Sequence, residues 1–208
     1  RLLHHGAGRG VTAAAWHAGF ADPVHDAQRA FRAALHALSH PGQRVDIGHP
    51  IPELPLAAAA SHLLLALADD DTAVWWQPGL ESCAPWLRFH TGARLAAAPK
   101  DAAFAVVADA RRLPALADFA QGTPASPEFS ATVLIEVPSL EDGPAMQWHG
   151  PGIDQGRTVR IGGVAPAFWG EWQANHAAFP QGVDIVFTCG AAAVGLPRTT
   201  RVARLEGV

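Results

Sequence analysis

Two short segments combine the residue types that bind phosphate-like oxyanions. Arg88-Phe89-His90-Thr91-Gly92 joins a guanidinium, a titratable imidazole and a hydroxyl in what we predict to be a glycine-ended loop. Pro197-Arg198-Thr199-Thr200-Arg201 repeats this mixture after an apolar strand. A guanidinium fork and hydroxyl donors suit the oxygens of an anion, but a surface loop with locally satisfied hydroxyls fits the same residues. The candidate anion-binding or interface residues are Arg88, His90, Thr91, Arg198, Thr199 and Thr200.

The sequence lacks the standard signatures of a self-contained enzyme. It contains no Gly-x-x-x-x-Gly-Lys loop, no Gly-x-Ser-x-Gly elbow and no His-Glu-x-x-His helix. Lys100 is the one lysine and lies in a stretch that predicts a loop, so a Schiff-base mechanism is disfavoured. Gly6-Ala7-Gly8-Arg9-Gly10 resembles a phosphate loop but follows no predicted strand. We therefore assign no catalytic residue.

The histidines and aspartates raise the question of a metal site. His36 and His40 have the i, i+4 spacing that places two ligands on one helical face. However, His40 lies at the predicted helix end, and no carboxylate or cysteine follows at a usual spacing. Asp69-Asp70-Asp71 could hold a hard cation such as magnesium, although a solvated turn is the commoner role of such a run. We predict no metal site.

Two cysteines, Cys83 and Cys189, lie far apart and do not form the framework of a secreted disulfide scaffold. Cys83 follows a predicted helix start, which admits a lowered thiol pKa, whereas Cys189 ends a predicted buried strand. We favour structural roles for both thiols. The tryptophans could stack on a base, but core packing is their commoner role.

Charge and hydropathy narrow the classes of partner. A formal net charge of -4, with 16% charged residues, provides no basic surface for a nucleic-acid backbone. The most apolar run, residues 54–68, is too short for a bilayer and is interrupted by Pro55, Ser61 and His62. Residues 1–19 contain no unbroken apolar core and so do not resemble a signal peptide. We expect a cytoplasmic protein with neither a nucleic-acid nor a membrane partner.

The apolar periodicity predicts alternating helices and strands. Asp22-Pro23 predicts the start of an amphipathic helix that runs to about Ser39 and stops at His40-Pro41-Gly42. Further helices are predicted over residues 56–68, 82–87 and 166–178, and strands over residues 44–47, 73–76, 104–108, 131–137 and 184–188.

This order of elements predicts a mixed α/β fold. The strands at residues 104–108, 131–137 and 184–188 are largely apolar, as in a sheet covered on both faces. We therefore expect a three-layer α/β/α sandwich with a mixed sheet, and an antiparallel hairpin over residues 146–161 at one sheet edge. A chain of 208 residues with 49% hydrophobic content fits one domain. We place this domain at residues 20–208, after a flexible tail at residues 1–19.

Segments along most of the chain, from Phe20 to Val202, resemble one family in order and in spacing. They are Asp26-Ala27-Gln28-Arg29-Ala30-Phe31-Arg32, Ser39-His40-Pro41-Gly42, Leu67-Ala68-Asp69-Asp70-Asp71-Thr72-Ala73-Val74-Trp75, Leu87-Arg88-Phe89-His90-Thr91-Gly92-Ala93, Gly122-Thr123-Pro124, Pro127-Glu128, Ser130-Ala131-Thr132-Val133-Leu134, Gly150-Pro151-Gly152-Ile153, Phe179-Pro180-Gln181-Gly182-Val183-Asp184, Thr188-Cys189-Gly190 and Pro197-Arg198-Thr199-Thr200. Together they resemble the PhnH family, a subunit of the bacterial carbon-phosphorus lyase core complex. The chain departs from the family in a longer tail before Phe20 and in Gln181, where a small or apolar residue is expected.

The resemblance implies a fold, partners and a reaction. The implied fold is similar to the large domain of the pyridoxal-phosphate-dependent transferases, in a protein that no longer binds that cofactor, so we expect no cofactor. Family members are homodimers in isolation and join PhnG, PhnI and PhnJ in the core complex. With the accessory protein PhnL, this system exchanges the adenine of ATP for a phosphonate, which gives a ribose 1-phosphonate 5-triphosphate. PhnJ, and not this subunit, carries the radical chemistry that later breaks the carbon-phosphorus bond.

Three hypotheses about function follow. The first is a subunit, not catalytic alone, whose segments at Arg88 to Thr91 and Arg198 to Thr200 contribute to an anion-accepting or partner-facing cleft. The second is a purely structural adapter that holds the complex together without contacting substrate. The third, an independent metal-dependent phosphoesterase, is the least favoured because no metal-ligand pattern is present.

Overall fold

A computed structural model describes residues 18–51 and 54–205. The predicted tail at residues 1–19 lies almost wholly outside the described residues, as does the glycine-rich segment at residues 6–10. Among the helices of the described ranges, none is long and apolar enough to cross a membrane.

The α-helices form where the periodicity predicts them. Pro23 occupies the first turn of α1, and the Asp22 carboxylate caps this helix by accepting the amide of His25 at 3.1 Å. The helices of the described chain are α1 (Pro23–Ser39), α2 (Ala58–Leu67), α3 (Cys83–Thr91) and α4 (Pro166–Ala177), with short 3-10 turns at Pro99–Asp101, Ala110–Arg112, Leu116–Asp118 and Pro127–Phe129.

The strands build one large mixed sheet and one small sheet. They are β1 (Arg44–Asp46), β2 (Ala73–Trp76), β3 (Arg94–Leu95), β4 (Phe104–Val107), β5 (Thr132–Glu136), β6 (Ala145–His149), β7 (Arg157–Arg160), β8 (Asp184–Cys189), β9 (Ala192–Leu196) and β10 (Arg201–Arg204). The large sheet has the order β1-β9-β8-β5-β4-β2-β3. Strands β3, β2, β4, β5 and β8 are parallel, whereas β9 is antiparallel to both of its neighbours. We call the two ends of the parallel strands the amino edge and the carboxyl edge.

The second sheet corrects one expectation. The segment at residues 146–161 does form an antiparallel hairpin, of β6 and β7, but this hairpin does not extend the large sheet. It pairs instead with β10, a strand that the sequence analysis missed, to give a three-stranded sheet in the order β10-β6-β7. Two of the four β10 residues are arginines, and three of the four are exposed. The strand therefore has no apolar pattern by which it could be recognised in the sequence.

Alternate residues of the central strands face two separate cores. Val106, Leu134 and Val186 pack with α1, α2 and α3 on one face, which we call the helical face. Val107 and Ile135 pack with α4, the small sheet and the 3-10 turns on the other, which we call the composite face. The mixed α/β fold with a sheet covered on both faces is therefore confirmed. The layer on the composite face, however, combines a helix with a small sheet.

Helix α1 lies directly on the backbone of β9. The buried side of this helix consists of Ala30, Ala34 and Ala37, so its axis can approach the sheet closely. At the contact, a Cβ on Gly195 would lie 2.3 Å from the carbonyl oxygen of Ala37, so no larger residue fits without a shift. Another side of α1 exposes three large apolar residues, Val24, Phe31 and Leu35.

Candidate functional site

The first predicted segment is helical, and the expectation of a glycine-ended loop is wrong. Arg88, His90 and Thr91 form the last turn of α3, which runs four residues beyond the predicted end. Gly92 ends the helix with φ 81°, and its amide donates to the Arg88 carbonyl at 2.9 Å. The glycine therefore marks a left-handed helix cap, and the charged residues before it belong to the helix.

Arg88 is exposed at the rim of a cavity of about 290 Å³ at the outer edge of the sheet. Val74, Trp76 and Leu95 provide apolar walls, and Arg94 of β3 lines the same cavity. The Arg94 guanidinium donates to the Asp71 carbonyl at 2.6 Å, which fixes this side chain beside the turn before β2. Two guanidiniums thus line one cavity, and sequence analysis identified one of them.

Of the two other predicted residues beside Arg88, His90 is exposed and Thr91 stabilises the end of the helix. His90 is exposed, and its ring makes edge contacts with Trp86 and Phe89 at centroid distances of 5.7 and 5.1 Å. The Thr91 hydroxyl donates to the Leu87 carbonyl at 2.9 Å and accepts the amide of Ala93 at 3.1 Å. Thr91 therefore contributes to the helix end.

Arg198 lies at the amino edge, where every N–H of its guanidinium has an internal partner. Nε and one Nη2–H donate to the Asp184 carboxylate at 3.2 and 2.5 Å, and the other Nη2–H donates to the Ser130 hydroxyl. The two Nη1–H groups donate to the carbonyls of Pro127 and Pro180 at 3.1 and 3.3 Å. Because arginine has five side-chain donors, none is left over for an external anion in this arrangement.

The two threonines beside Arg198 differ in burial. Thr199 is half-buried, whereas Thr200 is fully buried and its carbonyl accepts the indole N–H of Trp172 at 2.9 Å. The Thr200 hydroxyl has no hydrogen-bond partner among the described residues. The segment is thus built into the core beside α4.

The structure does not bring the two predicted segments together. α3 packs on the helical face, whereas the Arg198 carbonyl accepts a hydrogen bond from His176 of α4 on the composite face, at 2.8 Å. Strands β4 and β5 also separate β2, which follows the Asp69–Asp71 turn near α3, from β8, which begins at Asp184. Within the described chain, the two segments therefore do not share one cleft.

Gln77 organises the carboxyl edge. Its side-chain amide donates to the carbonyls of Asp109 and Arg112 at 3.1 and 3.0 Å. Its side-chain oxygen accepts the amides of Ala108 and Asp109 at 3.1 and 2.8 Å. These four bonds fill the capacity of a glutamine side chain. They hold the loop that leaves β4 against the end of β2.

That loop lines a cavity of about 670 Å³ beyond the ends of β4 and β5. Small-molecule sites typically occupy about 300–1,000 Å³, and in α/β sheets they favour the carboxyl ends of the strands. The cavity lining consists of Ala108, Asp109, Ala110, Arg111, Glu136, Val137, Pro138 and Gly163.

The Glu136 carboxyl has unused hydrogen-bonding capacity beside this cavity. It accepts the amide of Ala57 and so caps the start of α2, which has no side-chain cap of its own. No other hydrogen bond to it is present within the described residues, although a carboxylate has about four acceptor positions. Burial raises the pKa of Glu136, and the Ala57 amide opposes this shift.

At the cavity rim, Asp109 and Arg111 form a local ion pair. Arg111 donates to the Asp109 carboxylate through Nε at 3.0 Å and through Nη2 at 3.2 Å. The main-chain amide of Arg111 donates to the same carboxylate at 3.1 Å and holds the pair in the 3-10 turn. Together these contacts lower the pKa of Asp109, the arginine side-chain bonds most of all.

Both cysteines and the His36–His40 pair lie within the described residues. Cys83 is buried, and desolvation raises its pKa to about 11, so the reading of a lowered thiol pKa is wrong. Cys189 is half-buried at the end of β8. The rings of His36 and His40 stack at a centroid distance of 4.2 Å. Among residues 18–51 and 54–205, no three side chains of His, Cys, Asp or Glu come together as a metal site.

Sequence analysis missed Gln77, Asp109 and Glu136. A signal for all three was present, because each follows or ends an apolar strand of the parallel part of the sheet. Carboxyl ends of neighbouring parallel strands meet at one edge, so polar residues at these positions converge.

Comparison with known proteins identifies the family. Residues 18–203 match the family described as bacterial phosphonate metabolism protein (PhnH). The chain is 39% identical over 189 residues to the alpha-D-ribose 1-methylphosphonate 5-triphosphate synthase subunit PhnH of Rhizobium meliloti (strain 1021), an alignment that covers 89% of this chain and 94% of that protein. It is 34% identical over 182 residues to the putative C-P lyase subunit protein HtxG of Stutzerimonas stutzeri, covering 84% and 85% of the two chains. The resemblance read from the sequence segments is therefore confirmed, and the chain belongs to the PhnH family of bacterial phosphonate metabolism proteins.

Proposed function

We propose that this chain is a subunit of a carbon-phosphorus lyase core complex, without catalytic activity of its own. Within that complex it supports the formation of a ribose 1-phosphonate 5-triphosphate from ATP and a phosphonate, with release of adenine. The observation that carries the proposal is family membership over residues 18–203, together with relatives named as subunits of a synthase and of a C-P lyase. Its partners would be the PhnG, PhnI and PhnJ subunits, and the isolated chain would form a homodimer in the cytoplasm.

The proposal extends to the fold and to one surface. We include in the proposal a three-layer fold similar to the large domain of the pyridoxal-phosphate-dependent transferases, without the cofactor. We also propose that residues 20–208 form a single domain. Arg88 and Arg94 line one cavity beside the exposed His90, and this pair of guanidiniums supports an anion-accepting or partner-facing role for the end of α3. For Arg198, Thr199 and Thr200 we propose a supporting role at a partner interface, because the Arg198 donors are internally occupied.

Reconstitution tests the proposal. Complexes assembled with and without this chain are compared for phosphonate-dependent adenine release from ATP, and we expect release to fall strongly without it. Arg88→Ala with Arg94→Ala should lower turnover while the complex still assembles. Arg204→Ala, which removes an exposed arginine without a described partner, is the matched control. Full adenine release in the absence of this chain would contradict the proposal.

A second candidate function, the structural adapter, has its own supporting observation. Val24, Phe31 and Leu35 are 63%, 47% and 54% exposed, and their spacing places them along one side of α1. Phe31→Glu should then prevent co-elution with the partner subunits, whereas Gln173→Glu on the exposed side of α4 should not. If the adapter role is the whole function, the arginine variants retain full turnover whenever the complex forms.

A further inference from the structure

The carboxyl-edge cavity has the size and position of a ligand site. Its volume is about 670 Å³, and it lies beyond the ends of two adjacent parallel strands, β4 and β5. The four bonds of Gln77 hold one wall in place, so the wall is preformed. On another wall, Gly163 adopts φ 77°, and a Cβ there would lie 2.5 Å from Pro138, so the chain packs tightly against that proline ring.

The lining combines apolar surface with hydrogen-bond acceptors that have unused capacity. Ala108, Ala110, Val137 and Pro138 supply the apolar part. Glu136 supplies acceptor positions beyond the one that Ala57 uses. A partly buried carboxyl group with unused acceptors is stabilised by a ligand that brings N–H or O–H donors.

The charges around the cavity select the charge of such a ligand. Glu136 and the Asp109 carboxylate oppose an anion, and the Arg111 guanidinium at the rim opposes a cation. Asp109 already accepts from Nε and Nη2 of Arg111, so an anion at the remaining N–H groups of this guanidinium would lie beside the Asp109 carboxylate. A neutral ligand with hydroxyl groups meets none of these penalties.

We propose that the carboxyl-edge cavity binds a neutral, hydroxyl-bearing ring compound of about nucleoside size, with Glu136 accepting hydrogen bonds from its hydroxyl groups. The ring packs against Ala108, Val137 and Pro138, and the hydroxyl groups face Glu136. This inference is independent of the role in phosphonate use, since it rests on the cavity alone and is tested on the isolated chain.

Calorimetric titration of the full chain with adenosine tests the proposal, because adenosine joins a flat ring to a neutral diol. We expect saturable binding. The compound 2′,3′-dideoxyadenosine lacks the two hydroxyls of the diol. It should bind about tenfold more weakly or worse, because the Glu136 acceptors then lose the diol as a donor. Methylphosphonate, as an anion, should not compete with adenosine.

Two matched variants locate the binding. Ala108→Trp fills the cavity from an exposed position at the carboxyl end of β4 and should weaken adenosine binding by about tenfold or more. Ala103→Trp places the same side chain at an exposed position just before the amino end of β4 and should leave binding unchanged. Thermal melts of both variants establish that they fold. The proposal is overturned if adenosine does not bind, if the dideoxy compound binds equally well, or if folded Ala108→Trp binds as the unaltered chain does.

Discussion

The amino and carboxyl edges of the parallel strands use similar residue types in opposite ways. At the amino edge, Arg198 has an internal acceptor for each of its five guanidinium N–H donors, and Asp184 supplies two of these contacts. At the carboxyl edge, Glu136 accepts one hydrogen bond from the part of the chain that the structure describes, and it lines a cavity of about 670 Å³. The difference shows that the type of residue does not identify a binding site. What identifies it is hydrogen-bonding capacity left unused beside accessible space.

Removing Arg198 at the amino edge should have the largest effect on stability. Arg198→Ala leaves the Asp184 carboxylate, whose side chain is 21% exposed, without its guanidinium partner. Breaking such a partly buried pair should lower the free energy of unfolding by about 3 kcal/mol. Urea denaturation of this variant measures the loss, and Arg201→Ala, three residues further on and exposed, is the control. Equal stability of the Arg198 and Arg201 variants would show that the amino edge is not held together by this network.

Removing the Gln77 side chain, the clamp that holds the loop after β4 at the carboxyl edge, should have a smaller effect on stability. Gln77→Leu keeps the approximate volume but leaves two main-chain amides and two carbonyls without their partner. Because water can reach part of this loop, we expect a loss of about 2 kcal/mol in the free energy of unfolding. Gln173→Leu, an exposed glutamine on α4, should change stability little. A Gln77 variant as stable as the Gln173 variant would contradict the clamp.

The smallest effect should be a change in the pH dependence of stability. Burial raises the pKa of Glu136 above its ordinary value of 4.5, so the folded protein holds this proton more tightly than the unfolded chain. The resulting stabilisation is present below pH 4.5 and disappears as the pH rises through the raised pKa. Glu136→Gln keeps an acceptor for the Ala57 amide but does not titrate. Relative to this variant, the unaltered chain should therefore lose stability as the pH rises from 4 toward 8. Parallel unfolding curves across this range would refute the assignment.

Much of the fold could be predicted because its signals are local. Asp22 and Pro23 predict the start of α1, and the apolar runs at β4, β5 and β8 predict central strands that the structure confirms. The end of α3 was missed because a glycine such as Gly92 can end either a loop or a helix. Which of the two it ends depends on its φ value, and composition does not reveal that value. Strand β10 was missed because its pairing with β6 joins residues more than fifty positions apart.

The candidate site was harder to predict than the fold. The interpretation of Arg198 depended on Pro127, Ser130 and Asp184, which are distant in sequence and become its partners only in the folded chain. The same holds for Glu136, whose partner Ala57 lies at the start of α2 on the helical face, 79 residues earlier in the chain. Sequence shows which groups can bind a ligand, but only the packed structure shows which of them are already satisfied.

Amide hydrogen exchange of the full chain, with and without adenosine, tests the contrast between the two edges most directly. The account predicts slower exchange at residues 108–112 and 136–137, around the Gln77 clamp and Glu136, and no change at residues 198–201 beside Arg198. Slower exchange at residues 198–201, with none at the carboxyl edge, would show that the saturated edge is the binding site and would contradict the account.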